Sequence, residues 1–299
     1  MKFGIKKFVI CLVIVMVGSF VTAGIILMVT GNFSIATEKI NESKNFNPQE
    51  VDKIFIDVVS TDVNIIPADE DEIRVHFYGE VSTGLNRDIP SLVSYISGGE
   101  LRIEIVRPKT PLIGFSVWRN TLDLYIPEDS LEVLAIETSS SDVSVSNLKI
   151  DRFDYGNISG DLKGDSLFAG DLKINANSGD VSLRDYTGDI DVSTISGDIV
   201  LEEGMRNDDI KIITVSGNIN IEQKDSSNIY IESTSGDVGV ELSKNARFYL
   251  KAESVSGVID NSFPIKITSS SGRSLEGLIR DDSKEIIIST ISGNIDIDY

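Results

Sequence analysis

The sequence is poor in the residues that carry most catalytic and metal chemistry. It contains one cysteine, one histidine and one tryptophan in 299 residues. Because the cysteine is Cys11, no disulfide can form within the chain and no cysteine-based metal site can be assembled. With His76 as the single histidine, a two-histidine metal site is excluded as well. The absence of disulfides fits a bacterial surface protein better than a secreted eukaryotic module.

Positive charge is also scarce. The chain has 27 lysines and arginines against 47 acidic residues, a net charge of −20. Only Lys2, Lys6 and Lys7 precede the first acidic residue, Glu38, so the rest of the chain carries 24 basic residues and a net charge of −23. Such a surface repels nucleic acid phosphate, which excludes a nucleic-acid partner. It also repels anionic lipid headgroups, so this part should stand off a membrane surface.

One long segment lacks charge altogether. Residues 8–30 (FVICLVIVMVGSFVTAGIILMVT) would form a helix roughly 34 Å long, enough for a hydrocarbon core of about 30 Å. The lysines on its N-terminal side predict a cytoplasmic tail at residues 1–7 and an extracytoplasmic remainder. A cleaved signal peptide ending at Ala23 is the alternative, but the apolar run continues past it and favours a retained anchor. Residues 31–50 are polar and predict a stalk.

Internal repetition is the most informative feature of the sequence. A Ser-Gly pair followed by Asp or Asn and an aliphatic residue begins at Ser159, Ser178, Ser196, Ser216, Ser235 and Ser292. Ser256-Gly257-Val258 is a degenerate copy. From Gly160 to Gly257 the glycines lie 19, 18, 20, 19 and 21 residues apart, and the last step, to Gly293, is 36, close to two periods. A second aliphatic pair lies between successive copies, so strands recur every nine to eleven residues.

These spacings predict an all-β fold, a flattened parallel β-solenoid with two strands per turn of about 19 residues. The Ser-Gly corner should form one edge, where glycine supplies positive φ and the Asp or Asn bonds to the local backbone. The opposite corner varies in sequence, which suggests no geometric constraint there. An antiparallel sandwich would explain the turn spacing, but not an identical corner in every second turn.

The predicted ectodomain covers residues 51–299, with an irregular N-terminal part at 51–130 and regular repeats at 131–299. The chain stops directly after a strand at residues 294–298. We therefore expect this strand to be an unpaired edge, whose charges on Asp296 and Asp298 discourage pairing with another copy. The ectodomain should be monomeric.

Three features together resemble a known family: the anchor, the segments 122–127 (LDLYIP) and 136–143 (IETSSSDV), and the run of Ser-Gly-Asp corners. They are similar to the bacterial "putative adhesin" domain-of-unknown-function family, which includes the LiaG-like proteins of Gram-positive cell-envelope stress operons. The resemblance covers roughly residues 51–299. It implies this fold and a surface location, and it supplies no catalytic residues.

No catalytic, cofactor-binding or metal-binding residues can be assigned from the sequence. His76 lies on a predicted strand, and no Ser-His-Asp or Cys-His arrangement can be built around it. Acidic residues are too abundant for one acid/base pair to stand out. Calcium-binding β-rolls use G-G-x-G-x-D repeats, whereas here Asp follows Gly directly and Asn218 and Asn294 replace it, which favours a turn-forming role. We expect Trp118 to be a cap or core residue.

The sequence therefore predicts a non-enzymatic, membrane-anchored, extracytoplasmic interaction or scaffold protein of the bacterial envelope, adhesin-like or an accessory to envelope stress. Its partner would be another protein or a cell-wall polymer, and no cofactor is expected. The alternative is a polysaccharide-binding or polysaccharide-active β-helix protein. Exposed aromatics clustered with carboxylates on one sheet face would favour the alternative, whereas a face of Ser, Thr and Asp would favour the scaffold.

Overall fold

The computed structural model describes residues 5–30, 37–82, 89–107, 118–128, 130–205, 209–224, 227–280 and 284–299. Helix α1 (Ile5–Thr30) comes first, and a 3-10 helix (Pro48–Glu50) lies further along. If only residues with described side chains are counted, no helix is long and apolar enough to cross a membrane. The anchor at residues 8–30 stays a prediction.

Most of the remaining chain is β-strand, because β-branched residues alternate with polar ones along it. The N-terminal strands are β1 (Thr37–Phe46), β2 (Lys53–Val58), β3 (Asp62–Ala68), β4 (Ile73–Ser82), β5 (Ser91–Ser97), β6 (Glu100–Val106) and β7 (Trp118–Pro127). The regular strands are β8 (Val133–Ser140), β9 (Val143–Lys149), β10 (Arg152–Ser159), β11 (Leu162–Ser178), β12 (Val181–Ser196), β13 (Ile199–Gly204), β14 (Asp209–Ser216), β15 (Ile219–Gln223), β16 (Asn228–Ser235) and β17 (Val238–Leu242). The C-terminal strands are β18 (Phe248–Ser256), β19 (Ile259–Asn261), β20 (Lys266–Ser271), β21 (Ser274–Ile279), β22 (Glu285–Ser292) and β23 (Ile295–Asp298).

Hydrogen bonds arrange these strands in two ladders. The first ladder runs in the order β5, β6, β2, β8, β10, β11, β12, β14, β16, β22, β18, β21, β20. The second runs β1, β4, β7, β3, β9, β11, β12, β13, β15, β17, β23, β19. Because β11 and β12 each contribute to both ladders, the 23 strands that the structure describes belong to one sheet. A strand of the first ladder and the strand of the second ladder that follows it along the chain form one layer of the stack. We call this layer a rung.

The core lies between the two ladders. Parallel pairing places equivalent aliphatic residues side by side, so that Ile174, Val192 and Ile212 follow one another, each fully buried. At roughly 25 cal/mol per Å² of buried apolar surface, these continuous rows supply most of the stabilisation. The described side chains of α1 are exposed and none belongs to the core. Every core residue that the structure describes lies within residues 37–299, so we expect this part to fold without α1.

The order of the rungs does not follow the sequence at the C-terminal end. β22 and β23 lie between β16/β17 on one side and β18/β19 on the other. The prediction of an unpaired edge at residues 294–298 is therefore wrong, because β23 has a strand on each side. The 36-residue step does not hold two turns either. It contains the hairpin β20–β21, which pairs antiparallel with β18.

The N-terminal end is built in the same way. β2 and β3 lie between β6/β7 and β8/β9. β4 and β5 pair antiparallel with β7 and β6, and β1 pairs antiparallel with β4 over its whole length. This corrects the predicted stalk at residues 31–50, since residues 37–46 are part of the sheet. Antiparallel strands thus cover the stack at both ends of the first ladder.

The Ser-Gly corners have the predicted backbone. Gly160, Gly179, Gly197, Gly217 and Gly236 have φ between 122° and 129°. Close packing of the backbone is a second constraint. A Cβ added to any of the last four glycines would lie 2.7 Å from the carbonyl carbon of the glycine stacked on it and would collide with that carbonyl group. Glycine is required because neighbouring backbones approach so closely.

The Asp and Asn residues of these corners form a ladder between rungs, so the predicted bond to the local backbone is wrong. In each case the side-chain Oδ1 accepts from the backbone N–H of the equivalent residue on the next rung. Asp161 Oδ1 accepts from Asp180 N at 2.9 Å, and Asp180 Oδ1 accepts from Asp198 N at 2.9 Å. We call the whole series the corner ladder: Asp62, Asp142, Asp161, Asp180, Asp198, Asn218, Asp237 and Asn294.

The opposite corner is also constrained, contrary to the prediction. Four equivalent non-glycine residues there have φ between 49° and 58°: Asn147, Ser166, Asp185 and Glu203. Ser166 donates its hydroxyl to Asp185 Oδ2 at 2.9 Å. Variation in sequence hid this common geometry because several polar residues tolerate the left-handed region.

Candidate interaction surfaces

The Ser-Gly edge carries an exposed apolar row. In every corner, the residue before the serine points to solvent while the residue before that is buried, as with Ile195 and Thr194. The strand register aligns these outward residues with their equivalents in β2, β6 and β8, which lack a Ser-Gly pair. We call the whole series the edge row: Val106, Val59, Ser139, Ile158, Asn177, Ile195, Val215, Thr234, Ile291 and Val255. Its seven isoleucines and valines are 43–58% exposed.

Buried polar residues beneath the edge row hold the corners in place. Thr194 and Thr214 donate their hydroxyls to the carbonyls of Ser196 and Ser216, both at 3.2 Å. Asn157 plays the equivalent role in its own corner, where its side-chain amide donates to the carbonyl of Gly160 at 2.6 Å. These bonds satisfy backbone carbonyl groups at the three corners concerned, and the edge row points outward because successive side chains of a strand face opposite sides of the sheet.

Carboxylates lie on both sides of the edge row. One side is the corner ladder. The other, which we call the inner flank, consists of the outward residues two positions earlier in each strand: Glu104, Asp57, Glu137, Gly156, Asn175, Ser193, Ile213, Glu232, Ser289 and Glu253. Neither series contains a lysine or arginine. Arg102 and Lys251 neutralise Glu104 and Glu253, whereas Asp57 and Glu137 form no ion pair within the described residues.

A hollow of about 440 Å³ opens between the inner flank and the edge row. Asp57, Glu137, Gly156 and Ile158 line it, and Glu137 folds over Gly156, where any side chain would collide with its carboxylate. Thr138 also lines the hollow; it is 6% exposed and its hydroxyl has no hydrogen-bond partner among the described residues. The Thr138 hydroxyl faces inward, so the hollow itself combines unpaired carboxylates with an apolar wall.

The outer face of the first ladder carries a larger groove, about 870 Å³ in volume. Its lining alternates in charge, as where Lys211 Nζ lies 3.9 Å from Asp191 Oδ2. A second polar ladder runs along one side of it, since Asp209 Oδ1 accepts from Asn228 at 2.7 Å. Basic and acidic side chains neutralise one another in part within this groove. It is therefore less suited to binding a charged partner than the Ser-Gly edge is.

The outer face of the second ladder carries an aromatic cluster near the N-terminal end. His76 and Tyr78 stack with ring centroids 4.7 Å apart. The Asp123 carboxylate, 7% exposed, accepts from Asn64 at 2.7 Å. The guanidinium of Arg74 lies 3.8 Å from the ring centroid of Tyr125. Burial, with the Asp123 charge as the next cause, raises the pKa of Tyr78.

His76 was expected to be a structural strand residue. Its Nε2 lies 2.8 Å from Asn41 Oδ1. Ser43 and Asp123 lie opposite it in the strand register, but Asp123 bonds to Asn64, so a Ser-His-Asp relay is not formed in this geometry. Trp118 packs against the core from the start of β7, with the Arg107 guanidinium 4.9 Å from its ring centroid. Burial lowers the pKa of Arg107.

Four carboxylates face one another across the second ladder, on Glu202, Glu222, Glu241 and Asp298. They border a hollow of about 490 Å³. Burial raises the pKa of nearby Asp296, and the charges of Asp260 and Asp298 add to this effect. Within the described residues, no group of three or more His, Cys, Asp or Glu side chains could hold a metal ion.

These ladders define a class of protein: an all-β repeat protein whose parallel strands stack into one long sheet. Residues 51–298 match the family described as Toastrack DUF4097, and the chain belongs to this family. A comparison with curated proteins finds no match.

Three solved structures are among those similar to this chain. A "putative adhesin" from Bacteroides fragilis is 13% identical, with a TM-score of 0.55 over 89% of this chain and 99% of the other. A "putative cell adhesion protein" from Clostridium sporogenes is 15% identical over 87% and 99% of the two chains, with a TM-score of 0.36. A "putative lipid binding protein" from Parabacteroides distasonis is 15% identical over 88% and 97%, with a TM-score of 0.27. Only the first superposes well enough to support the fold, and none assigns a ligand to this chain.

Proposed function

We propose that this chain is a non-enzymatic, membrane-anchored interaction protein of the bacterial cell envelope, adhesin-like in its role. Residues 8–30 would anchor it, with residues 1–7 in the cytoplasm and the ectodomain outside. The ectodomain would be a two-faced solenoid with two strands per turn of about 19 residues. The uncharged run, the lysines before it and the acidic remainder support this topology.

The observation that carries the proposal is the edge row. A free-standing domain has no structural need for seven isoleucines and valines, each about half exposed, in register along one edge. Exposed apolar rows bordered by polar residues mark interaction sites. The row points away from the core, so its apolar side chains are not needed to fill it.

The proposal is tested by sedimentation of the ectodomain, residues 37–299, with purified cell walls and with envelope membranes. We expect the protein to sediment with one of these fractions. Replacing Ile195 and Val215 with serine should reduce the bound fraction several-fold. A matched variant, Val200→Ser with Ile287→Ser, changes two outward aliphatics away from the edge and should bind as the original does. Failure of the original protein to sediment with either fraction would contradict the proposal.

The topology needs its own test. Protease added to intact cells should remove the ectodomain of the full chain and leave a membrane-bound N-terminal fragment. Release of the intact ectodomain without protease would instead indicate cleavage after Ala23, and full protection would place the ectodomain inside the cell.

Carbohydrate binding is a second candidate, favoured by the aromatic cluster at His76. Aromatic rings beside a carboxylate and amides are the groups that bind sugars in many proteins. If this cluster is the site, His76→Ala with Tyr78→Ala should abolish sedimentation with cell walls while Ile195→Ser with Val215→Ser leaves it unchanged. The reverse result supports the Ser-Gly edge.

A further inference from the structure

We propose that the Ser-Gly edge binds a cationic amphipathic helix of a partner protein. This inference rests on the proposed interaction function and names the chemistry of the partner. Three observations carry it: the spacing of the edge row, the charges beside it, and the hollow at Asp57 and Glu137.

The spacing favours a helix. Neighbouring strands lie about 4.8 Å apart, and one turn of α-helix rises about 5.4 Å. A helix along the stack would therefore set roughly one turn against each rung. From Ile195 to Val255 the edge row spans five rungs, over which the mismatch reaches only about 2–3 Å. An extended strand repeats its side chains on one face every 6.8 Å or so, and would lose register after a single rung.

The charges favour a cationic partner. The corner ladder supplies six carboxylates along one side of the edge row. On the other side, the inner flank supplies the carboxylates of Asp57, Glu137 and Glu232. Neither the corner ladder nor the inner flank contains a basic residue. Opposite charges placed on both sides of an apolar contact set the orientation of a partner and speed its association. A helix with one apolar stripe bordered by lysine or arginine matches this pattern. A second copy of the chain, itself strongly acidic, does not.

The hollow gives this partner an anchoring point. Its volume of about 440 Å³ can take a long side chain. The unpaired carboxylates of Asp57 and Glu137 would receive a lysine or arginine head, while Ile158 lies against its aliphatic stem. Such a contact is charge-assisted and therefore among the stronger polar interactions.

Binding of synthetic helices to residues 37–299 tests the inference. The probe is a peptide of about 20 residues with leucines at helical spacing and lysines elsewhere. A second peptide has the same composition in strict alternation, which suits a strand, and a third has glutamate in place of lysine. Fluorescence anisotropy gives Kd for each. We expect the helical cationic peptide to bind best, with affinity that falls as salt is raised.

Matched variants separate this site from general attraction to an acidic protein. Asp57→Asn with Glu137→Gln, and separately Ile195→Ser with Val215→Ser, should each weaken binding about tenfold, or 1.4 kcal/mol. Glu222→Gln with Glu241→Gln removes the same charge from the second ladder and should change Kd less than about twofold.

Three results would overturn the inference. Equal weakening by the Glu222/Glu241 control would show unspecific attraction, tighter binding of the alternating peptide would show that the occupant is a strand, and no binding would exclude this partner chemistry. The last result leaves the interaction function standing if residues 37–299 still sediment with envelope material through Ile195 and Val215. If sedimentation fails as well, the proposed function fails with it.

Discussion

Replacing Gly217 with alanine tests how the Ser-Gly corner is built. Gly217 has φ of +124°, and an added Cβ would lie 2.7 Å from the carbonyl carbon of Gly197 and 3.3 Å from Asp198 N. Holding alanine at this φ costs about 1–3 kcal/mol. Separating the two backbones would also weaken two bonds, Asn218 N to Asp198 Oδ1 at 2.7 Å and Ile199 N to Asn218 O at 2.9 Å, each worth about 1 kcal/mol.

The total loss should be about 3–5 kcal/mol. For a domain of this size, that lowers Tm by about 10 °C. Calorimetry of residues 37–299 provides the measurement. Two control variants separate the cost of the positive φ from the cost of the backbone collision. The added Cβ of Gly239→Ala would meet the Asn220 side chain at 3.0 Å and no backbone atom closer than 3.9 Å, so this change should be nearly neutral. Gly257 lies outside the left-handed region but would still collide with Gly293, so Gly257→Ala should give an intermediate loss. An unchanged Tm for Gly217→Ala would refute the stacked-corner geometry.

Three further outcomes follow from the same structure. Asp180→Ala should lower the free energy of unfolding in urea by about 1 kcal/mol, because Asp198 N loses its acceptor. Asp180→Asn should be nearly neutral, since Asn218 occupies the equivalent position on another rung. Equal losses in the two variants would mean that the charge matters and the hydrogen bond does not. The pKa of Asp296 is raised in the folded state. Its contribution to stability is therefore favourable below the unfolded pKa near 3.8 and is lost as pH rises. Asp296→Asn should raise Tm at about pH 7 and give no gain near pH 3. Asp296→Thr with Asp298→Thr should stay monomeric in light scattering because β23 is paired on both sides, and dimers would show an open edge.

The repeat could be read from the sequence because each rung is short and self-similar. Alternating aliphatics and the Ser-Gly pairs fix the strands and the positive φ at Gly197 and Gly217. The order of the rungs could not be read, since every rung presents the same aliphatic pair to its neighbours. Nothing local distinguishes Ile295 of the last strand from Val238 or Ile259. The 36-residue step before Gly293 was the one visible irregularity, and a hairpin explains it.

The candidate edge was visible in part. Isoleucine or valine directly before a Ser-Gly pair recurs at Ile158, Ile195, Val215, Val255 and Ile291, which is a signal that sequence reasoning missed. Period-two alternation is strongest in the buried pairs, and this stronger pattern hides the outward row. The flanking charges could not be assigned beforehand because Asp57 and Glu137 come beside Ile158 only through the pairing of β2, β8 and β10.

Site-specific photo-crosslinking in living cells tests most directly the claim that the Ser-Gly edge is the interaction surface. A photoreactive phenylalanine analogue is placed in the full chain at position 195 or 215 on the edge, or at position 200 or 220 on the second ladder. All four residues lie on neighbouring rungs and point outward, so the two pairs sample two different surfaces of the same part of the stack. We expect one discrete crosslinked partner from positions 195 and 215 and none from positions 200 and 220. Crosslinks from 200 and 220 alone would contradict it.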